Sequence, residues 1–324
     1  MRRREFITLI GGAAALPLKA RAQQPAVPVI GILSPGSFSA PHLLAILRQI
    51  LAEAGYVEGR NLTIEYRYAE GQYDRLPGLA AELVQRQAAV IIAATTPAAL
   101  AAKAATATIP ILFIAPDDPV GVGLVVSLAQ PGGNATGVHM FNAALGAKQL
   151  GLLHELVPSA ARVGLLVNPN NTNAETMTME VKAAASAIGI EIDVVRATAR
   201  REIEAAFATL VHNRADALVV GADSFFFSRR LQLATLATRH AIPAIYNARE
   251  YSEAGGLMSY GASQTEVFRQ LGAYAVRILK GEKPTALPVV QSTKFDFVIN
   301  LPTAQALGLE VPPMLLARAD EVIE

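Results

Sequence analysis

Short β-branched segments alternate with longer alanine- and leucine-rich segments along most of this chain. The first pair lies at 29–33 and 41–54, and the pattern repeats to about residue 250. A run of four to six β-branched residues is typical of a buried strand, and apolar residues at helical spacing are typical of an amphipathic helix. The alternation therefore predicts βαβ units, in which parallel sheets are covered by helices.

A turn-forming sequence divides this alternation into two runs. The four residues at 131–134 read Pro-Gly-Gly-Asn, which favours a turn over a helix or a strand. Before it we predict strands at 29–33, 62–66, 90–93 and 111–114, with helices after each, the last starting near Val120. After it we predict strands at 163–167, 190–195, 217–220 and 244–246. We therefore expect an α/β protein with two Rossmann-like lobes, each built on a parallel sheet.

The chain beyond residue 250 departs from the alternation. A strand at 257–260, a long helix at 264–280 and an extended stretch at 289–300 supply elements that can return to the first lobe and cross again. We expect residues 26–138 and 251–286 to form the N-terminal lobe, and residues 139–250 and 287–324 to form the C-terminal lobe. The crossovers are expected at 133–138, 247–251 and 287–290.

The first 22 residues have the layout of an export signal. Arg2, Arg3 and Arg4 precede an apolar run from residue 6 to 18, and small residues at 20 and 22 form a cleavage site. The run is too short to span a hydrocarbon core of about 30 Å, which takes roughly 20 helical residues. The arginine pair followed by Glu-Phe-Ile resembles a twin-arginine signal. We expect cleavage after Ala22 and a mature protein in the periplasm; a retained N-terminal arm is the alternative.

The charge balance and the absence of cysteine exclude several classes of function. Without residues 1–22, the 28 basic and 27 acidic side chains become 23 and 26, a formal net charge of −3. A weakly acidic chain without basic runs is not suited to nucleic acid, whose phosphates require clustered Lys and Arg. The chain has no cysteine, so disulfides and thiolate metal sites are excluded. The five histidines are scattered without metal-type spacing. We expect no metal and no cofactor.

Polar residues follow the predicted strands of the first lobe, where ligands bind in open parallel sheets. Thr96 fits a helix N-cap and Pro97 the first helical position. Free N–H groups at such a helix start attract a carboxylate or another anion, although capping alone explains the same residues. The candidate binding residues of this lobe are Ser34, Ser37, Phe38, Thr95, Thr96 and Asp117.

The second run of strands has similar polar ends. Thr172 begins a predicted capping box and Ser224 is a predicted cap, which leaves Asp223 available to pair with a ligand ammonium. Aromatic rings near the cleft, among them those of Phe38, Phe225 and Tyr251, are expected to surround an apolar or aromatic side chain. The further candidate binding residues are Asn168, Asn170, Asp223, Phe225, Asn247 and Tyr251.

No catalytic motif is found in the sequence. There is no Gly-x-Ser-x-Gly elbow, no dinucleotide fingerprint and no phosphate loop. A binding protein fits the export signal and the two-lobe pattern. The alternative is a periplasmic enzyme of similar architecture, for example a hydrolase with Asp117 and Asp223 as acid and base.

Several segments resemble the ABC-transporter substrate-binding proteins of the TrpX-like family, within the type I periplasmic binding proteins. These segments extend over nearly all of the expected mature chain. They are Asn61 after Gly59, Thr-Pro-Ala-Ala at 96–99, Asp-Pro-Val-Gly at 118–121, Gly-Leu-Val at 123–125, Pro-Gly-Gly-Asn-Ala-Thr-Gly-Val at 131–138, Leu-Gly-Leu at 307–309 and Pro-Pro at 312–313.

The resemblance implies two α/β lobes joined by three hinge strands, with one small molecule held between them. It also implies delivery of that molecule to a membrane permease driven by a cytoplasmic ATPase. Some relatives bind aromatic amino acids, so we expect an amino acid or a related carboxylate, with an aromatic one among the candidates. We expect the protein to be a monomer.

Overall fold

A computed structural model of the chain describes residues 27–37, 40–140 and 145–324. The expected export signal at 1–22 and the candidate residue Phe38 lie outside these ranges. No helix within them is long and apolar enough to span a membrane.

The described elements alternate as the sequence predicts. The first eight are β1 (Val29–Ser34), α1 (Pro41–Glu53), β2 (Thr63–Tyr68), α2 (Leu76–Gln85), β3 (Val90–Ala93), α3 (Thr96–Ala105), β4 (Ile111–Ala115) and β5 (Ala135–His139). The next eleven are α4 (Leu145–Leu156), β6 (Arg162–Val167), α5 (Ala174–Ala187), β7 (Glu191–Arg196), α6 (Arg200–His212), β8 (Ala217–Val220), α7 (Ser224–Ser228), α8 (Arg230–Arg239), β9 (Ala244–Tyr246), α9 (Arg249–Glu253) and β10 (Met258–Ala262). The last six are α10 (Gln264–Leu279), β11 (Val290–Gln291), β12 (Phe295–Asn300), α11 (Leu301–Ala306), α12 (Pro313–Leu316) and β13 (Glu321–Ile323). Short 3-10 turns cover Tyr73–Arg75 and Pro284–Ala286.

The first lobe is a parallel sheet with the strand order β11-β5-β4-β3-β1-β2. Alternate residues of each strand face opposite cores, as strand geometry requires. Ile30 and Ile32 of β1 pack towards α1 and α10, whereas Leu33 packs towards α2 and α3. Both faces of the central strands are therefore shielded from solvent, which explains why β3 and β4 are apolar throughout.

The second lobe is a sheet with the strand order β13-β12-β10-β9-β8-β6-β7. Its paired strands are parallel except β10 and β12, which are antiparallel. One face packs on α4 and α5 through side chains such as Val163 and Leu165, and the other packs on α6 and α8 through Leu166 and Leu218. Each sheet thus has its own hydrophobic core on both faces, which confirms the two-lobe prediction.

Among the described elements, the chain passes between the two sheets three times, after β5, after β10 and after β11. The second and third passages run side by side, because the backbone N–H of Ser263 donates to the carbonyl of Lys294 at 3.0 Å. A rotation of one lobe against the other has to change the backbone angles of these three connecting segments.

The expected lobe boundaries differ from this arrangement at two places. Residues 251–262 were expected in the first lobe, but Met258 and Ser259 pair with β9 of the second sheet, so the expected crossover at 247–251 is wrong. Residues 287–291 were expected in the second lobe, but Leu287 is buried in a core of the first lobe and Val290 pairs with Val138. The expected crossover at 287–290 is therefore wrong, and the chain crosses after β11. Local sequence could not decide either point, because the choice of sheet depends on partners far along the chain.

The helix expected near Val120 does not form. The carboxylate of Asp118 accepts the backbone N–H of Val120 at 3.0 Å, which makes a turn. Gly123 then adopts a left-handed conformation with φ of +74°, and the carbonyls of Gly123 and Leu124 are held by the Lys103 ammonium at 2.6 and 2.9 Å. A residue with positive φ interrupts a right-handed helix, so this segment stays irregular.

Candidate functional site

The carboxyl ends of strands from both sheets face one cleft between the lobes. Ser34 ends β1 and Thr95 follows β3 on the first lobe, while Asp223 follows β8 and Asn247 follows β9 on the second. The cavity there has a volume of about 110 Å³, roughly ten times what one water requires. The cleft therefore lies where open α/β sheets bind ligands.

The first-lobe wall is rich in hydroxyl groups. Ser34, Ser37 and Thr95 line the cleft. Thr95 is the N-cap of α3, and its hydroxyl accepts the backbone N–H of Ala98 at 3.3 Å. Thr96 was expected to be this cap, but the capping distance of three residues to Ala98 selects Thr95. Thr96 is fully buried in the first helical turn, does not line the cleft, and its hydroxyl has no hydrogen-bond partner among the described residues.

Asp223 is the sole ionisable side chain among the described residues that line the cleft. It is 7% exposed, and it caps α7 by accepting the backbone N–H groups of Phe225 and Phe226 at 2.9 and 3.1 Å. The expected cap, Ser224, is instead the first residue of the helix. The sequence suggested that Asp223 has no capping role, but in the structure its carboxylate caps α7.

Three side-chain donors complete the shell of Asp223. Asn168 donates to one carboxylate oxygen at 3.2 Å, and Asn171 and Tyr73 donate to the other at 3.0 and 2.5 Å. With the two backbone donors, the carboxylate accepts five hydrogen bonds, and a carboxylate offers about four lone-pair positions. Its hydrogen-bonding capacity is therefore full within the chain, and what it presents to the cleft is its negative charge.

The Tyr73 hydroxyl reaches Asp223 from the opposite lobe. Burial, followed by the Asp223 charge, raises the pKa of Tyr73 far above its ordinary value, so the phenol stays protonated and remains a donor at any physiological pH. This hydrogen bond exists only when the lobes are close together.

Further contacts also cross the cleft. The Thr172 hydroxyl donates to the carboxylate of Asp117 at 2.8 Å, and Nε2 of His42 lies 3.1 Å from Oε1 of Glu250. A Cβ atom built on Gly36 would be 2.5 Å from the carbonyl oxygen of Ser224, so the two backbones are in direct contact. The lobes are thus closed on each other in this structure.

Only one ring of the Phe225-Phe226-Phe227 sequence lines the cleft, and it is Phe227. Phe227 packs against the cores of both lobes. Phe225 was expected at the ligand, but it is 4% exposed and packs beside Phe226 in the second core. Tyr251 was also expected there, but it is fully buried and stacks on Tyr246 with ring centroids 4.6 Å apart.

Of the remaining candidates, Asn247 lines the cleft and the others do not. Asn168 is buried and positions Asp223 without lining the cleft. The side chain of Asn170 is exposed and does not line it. Asp117 accepts a hydrogen bond from Thr172. Thr172 was expected to cap α5, but Asn173 occupies the N-cap position. Asn247 lines the cleft as expected.

Sequence reasoning missed several lining residues. Asn171 belongs to the asparagine run that was noticed, but its neighbours were chosen instead. Gln264 and Phe268 line the cleft from the first turns of α10, immediately after the second passage between the lobes. Their signal was available, because a helix start after a strand end is where ligands bind, but it required knowing that the chain crosses there.

The described residues contain no group of three or more acidic or histidine side chains placed to hold a metal ion. The two carboxylates that were considered as an acid and base pair are both engaged in hydrogen bonds from the chain.

Comparison with known proteins gives consistent results. The family model for ABC transporter substrate binding protein matches residues 38–323. A tyrosine-binding protein from Clostridioides difficile (strain R20291) is 28% identical over 260 residues, covering 80% of this chain and 74% of the relative.

Two solved structures with 28% identity differ in how well they superpose. An ABC domain from Streptococcus pneumoniae in complex with L-Trp has a TM-score of 0.80 and covers 91% of this chain and 99% of that one. A ligand-free, open substrate-binding protein with adhesive properties from Clostridium difficile has a TM-score of 0.63, with coverages of 92% and 99%.

More distant structures share the fold alone. A myo-inositol binding protein from Caulobacter is 13% identical with a TM-score of 0.60, over 87% of this chain and 96% of that one. The two-lobed architecture is thus the type I periplasmic binding fold, as the sequence predicted. The family and the similar relatives are solute-binding proteins, so the enzyme alternative is not supported. The family model matches most of the length of this chain, which therefore belongs to the family of ABC transporter substrate binding proteins.

Proposed function

We propose that this protein captures an aromatic amino acid in the cleft between its lobes and delivers it to an ABC permease driven by a cytoplasmic ATPase. The observation that carries the proposal is the division of the cleft into one anionic wall, one hydroxyl-lined helix start and an apolar floor. Such a cleft complements a zwitterion with an apolar side chain. The tyrosine-binding and L-Trp-bound relatives support an aromatic side chain.

The α-carboxylate of the ligand is proposed to lie against the start of α3. The N-terminal turn of this helix presents backbone N–H groups and the positive end of the helix dipole. The hydroxyl groups of Ser34, Ser37 and Thr95 line the same wall. No lysine or arginine is among the described lining residues, so this wall is the available anion site.

The α-ammonium of the ligand is proposed to lie on the Asp223 side. The carboxylate is largely shielded from water and its charge faces the cavity. A negative charge in a water-poor cleft attracts an ammonium group strongly, because the surrounding dielectric is low. The ammonium does not need a vacant lone pair to benefit from this charge.

The ring of the ligand is proposed to contact an apolar set on both lobes. Phe227 comes from the second lobe, whereas Leu43, Ile114 and Phe268 come from the first. Rings placed against rings contribute large buried areas and favourable edge contacts. Because the set spans both lobes, a ligand that fills it favours the closed form over the open one.

Substrate-binding proteins of ABC importers act outside the cytoplasm. For this chain we propose export by a twin-arginine signal, cleavage after Ala22 and a monomeric mature protein in the periplasm. The arginine pair at positions 3 and 4 and the small residues before position 23 support the signal and its cleavage site.

Calorimetric titration tests the proposed ligand class. The mature protein is unfolded in guanidinium, dialysed to remove bound molecules, refolded and titrated with L-tyrosine, L-tryptophan, L-phenylalanine, L-leucine, L-glutamate and a pentose. We expect one-to-one binding of at least one aromatic amino acid, at least tenfold tighter than that of L-leucine.

Two controls accompany the titration. Circular dichroism of the refolded protein must match that of the native preparation. Small-angle scattering must show a smaller radius of gyration with the bound amino acid than without it. Binding of the pentose alone, or of no aromatic amino acid, would contradict the proposal.

A further inference from the structure

A small side chamber opens beside the main cleft in the second lobe. It has a cavity volume of about 10 Å³, close to the minimum that holds one water-sized group. Ala222 and Asn247 line both the chamber and the cleft, so the two spaces adjoin. Gln149 and Asn173 complete its polar lining.

Two acceptor atoms in the chamber lining are buried without a hydrogen-bond partner among the described residues. They are Oε1 of Gln149 and Oδ1 of Asn247. Buried polar atoms are nearly always paired in native proteins, and leaving one unpaired costs free energy. Both atoms can only be satisfied by a group that donates.

The orientation of Gln149 is determined by its surroundings. The side chain is 1% exposed, and its amide nitrogen donates to the carbonyl oxygens of Tyr246 and Tyr260 at 3.3 and 2.8 Å. The nitrogen is thereby fixed on two acceptors, and the amide oxygen has to be the remaining atom. The acceptor character at Gln149 is therefore built into the fold.

The chamber does not suit a cation. Leu145, the first residue of α4, and Asn173, the N-cap of α5, both line it. The positive ends of two helices of 12 and 14 residues thus lie at this point, and they disfavour a second positive charge. A neutral hydroxyl donates its one proton to one of the two amide oxygens and tolerates the helix ends.

We propose that this chamber is a subsite for the hydroxyl group of the ligand, so that the cleft selects L-tyrosine over L-phenylalanine. The inference rests on the proposed function, because it assumes that the cleft binds an aromatic amino acid. The α-carboxylate then lies on the first lobe, and the ring extends across the cleft so that its oxygen enters the chamber beside Asn247 and Gln149. Gln149 and Asn247 are the specificity-determining residues.

The expected discrimination follows from the unpaired acceptors. L-phenylalanine leaves both amide oxygens without a donor, whereas L-tyrosine supplies one. We expect L-tyrosine to bind at least tenfold more tightly, which corresponds to about 1.4 kcal/mol. O-methyl-L-tyrosine, which lacks the donor and carries an extra carbon, should bind more weakly than L-phenylalanine, because the chamber has room for one atom only.

Titration calorimetry with these three ligands tests the proposal on the wild-type protein and on Asn247→Ala. Oδ1 of Asn247 has no hydrogen-bond partner within the described residues, so removing it breaks no hydrogen bond of that atom and this variant should keep its melting temperature. Its tyrosine-to-phenylalanine affinity ratio should fall towards one. Gln149→Leu should lower the ratio as well, and Gln49→Leu on the exposed face of α1 is the matched control.

The outcomes separate this proposal from the broader one. Equal affinities for L-tyrosine and L-phenylalanine in the wild type would show that a water satisfies the chamber, and would overturn the subsite while aromatic binding stands. A ratio that stays unchanged in a folded Asn247→Ala would also overturn it. Absence of binding by any aromatic amino acid would instead overturn the proposed function.

Discussion

Removing the hydrogen bond from Tyr73 to Asp223 tests how much this contact between the lobes stabilises the closed form. Tyr73 belongs to the first lobe and Asp223 to the second, and the phenol oxygen is 2.5 Å from the carboxylate. Tyr73→Phe removes this one donor and keeps the ring, which packs on the apolar cluster under α2 and α3. In an open form the two groups are apart and solvated, so the substitution should act on the closed form alone.

The size of the effect can be worked out from the surroundings of the carboxylate. A hydrogen bond to a charged acceptor contributes about 1.5–3 kcal/mol net. Asp223 keeps four other donors after the substitution, so little unpaired charge remains and the lower end applies. A loss of about 1.5 kcal/mol from the closed form corresponds to roughly a tenfold weaker ligand affinity.

Calorimetry with L-tyrosine or L-tryptophan measures this change, and thermal unfolding without ligand checks the fold. Tyr66→Phe is the matched control. Its hydroxyl accepts a hydrogen bond from Arg48 of the same lobe at 2.7 Å, so its loss cannot act on closure. We expect the control to retain wild-type affinity within about twofold.

Unchanged or tighter binding by Tyr73→Phe would refute this reasoning. It would mean that the ligand ammonium takes the place of the Tyr73 hydroxyl on Asp223. Asp223 would then be a direct ammonium site, and the contact seen here would belong to the ligand-free closed form only.

Three other predictions concern the backbone contact, a buried acid and export. Gly36→Ala places a Cβ 2.5 Å from the carbonyl oxygen of Ser224, a backbone atom that cannot turn away, so scattering with saturating ligand should show incomplete compaction and calorimetry a lower affinity; full compaction would contradict the contact. Burial raises the pKa of Glu250 above its usual 4.5, so its contribution to stability is present at low pH and is lost as pH rises through the raised pKa; the melting temperature of Glu250→Gln relative to wild type should therefore increase from pH 4 to pH 8, and a constant difference would argue against a buried acid. Replacing Arg3 and Arg4 by Lys should leave unprocessed precursor in the cytoplasm, as seen by immunoblotting of cell fractions, whereas normal processing would indicate the general secretory route.

The fold could be predicted from sequence because its determinants are local. The runs at 217–220 and 244–246 coincide with β8 and β9, since a strand buried on both faces has to be apolar along its whole length. The assignment of β10 to the second sheet could not be predicted in this way. Met258 and Ser259 are joined to Ile245 and Tyr246 by pairing that depends on the whole lobe.

The site could be predicted less fully than the fold. Ser34, Thr95, Asp223 and Asn247 were predicted because they follow strands, which is a rule of topology, and all four line the cleft. The rule does not say which neighbour in a loop turns inward, and so Asn170 was chosen over Asn171. It also says nothing about Tyr73, whose part in the site arises only when the two lobes meet.

The central claim is that one aromatic amino acid is enclosed between the two lobes. A crystal structure of the refolded protein grown with L-tyrosine tests it most directly. The account predicts the ligand in the cleft, with its carboxylate at the start of α3, its ring against Phe227 and its hydroxyl beside Gln149 and Asn247. A ligand bound to the outside of one lobe, or a cleft that closes without the amino acid at saturating concentration, would contradict it.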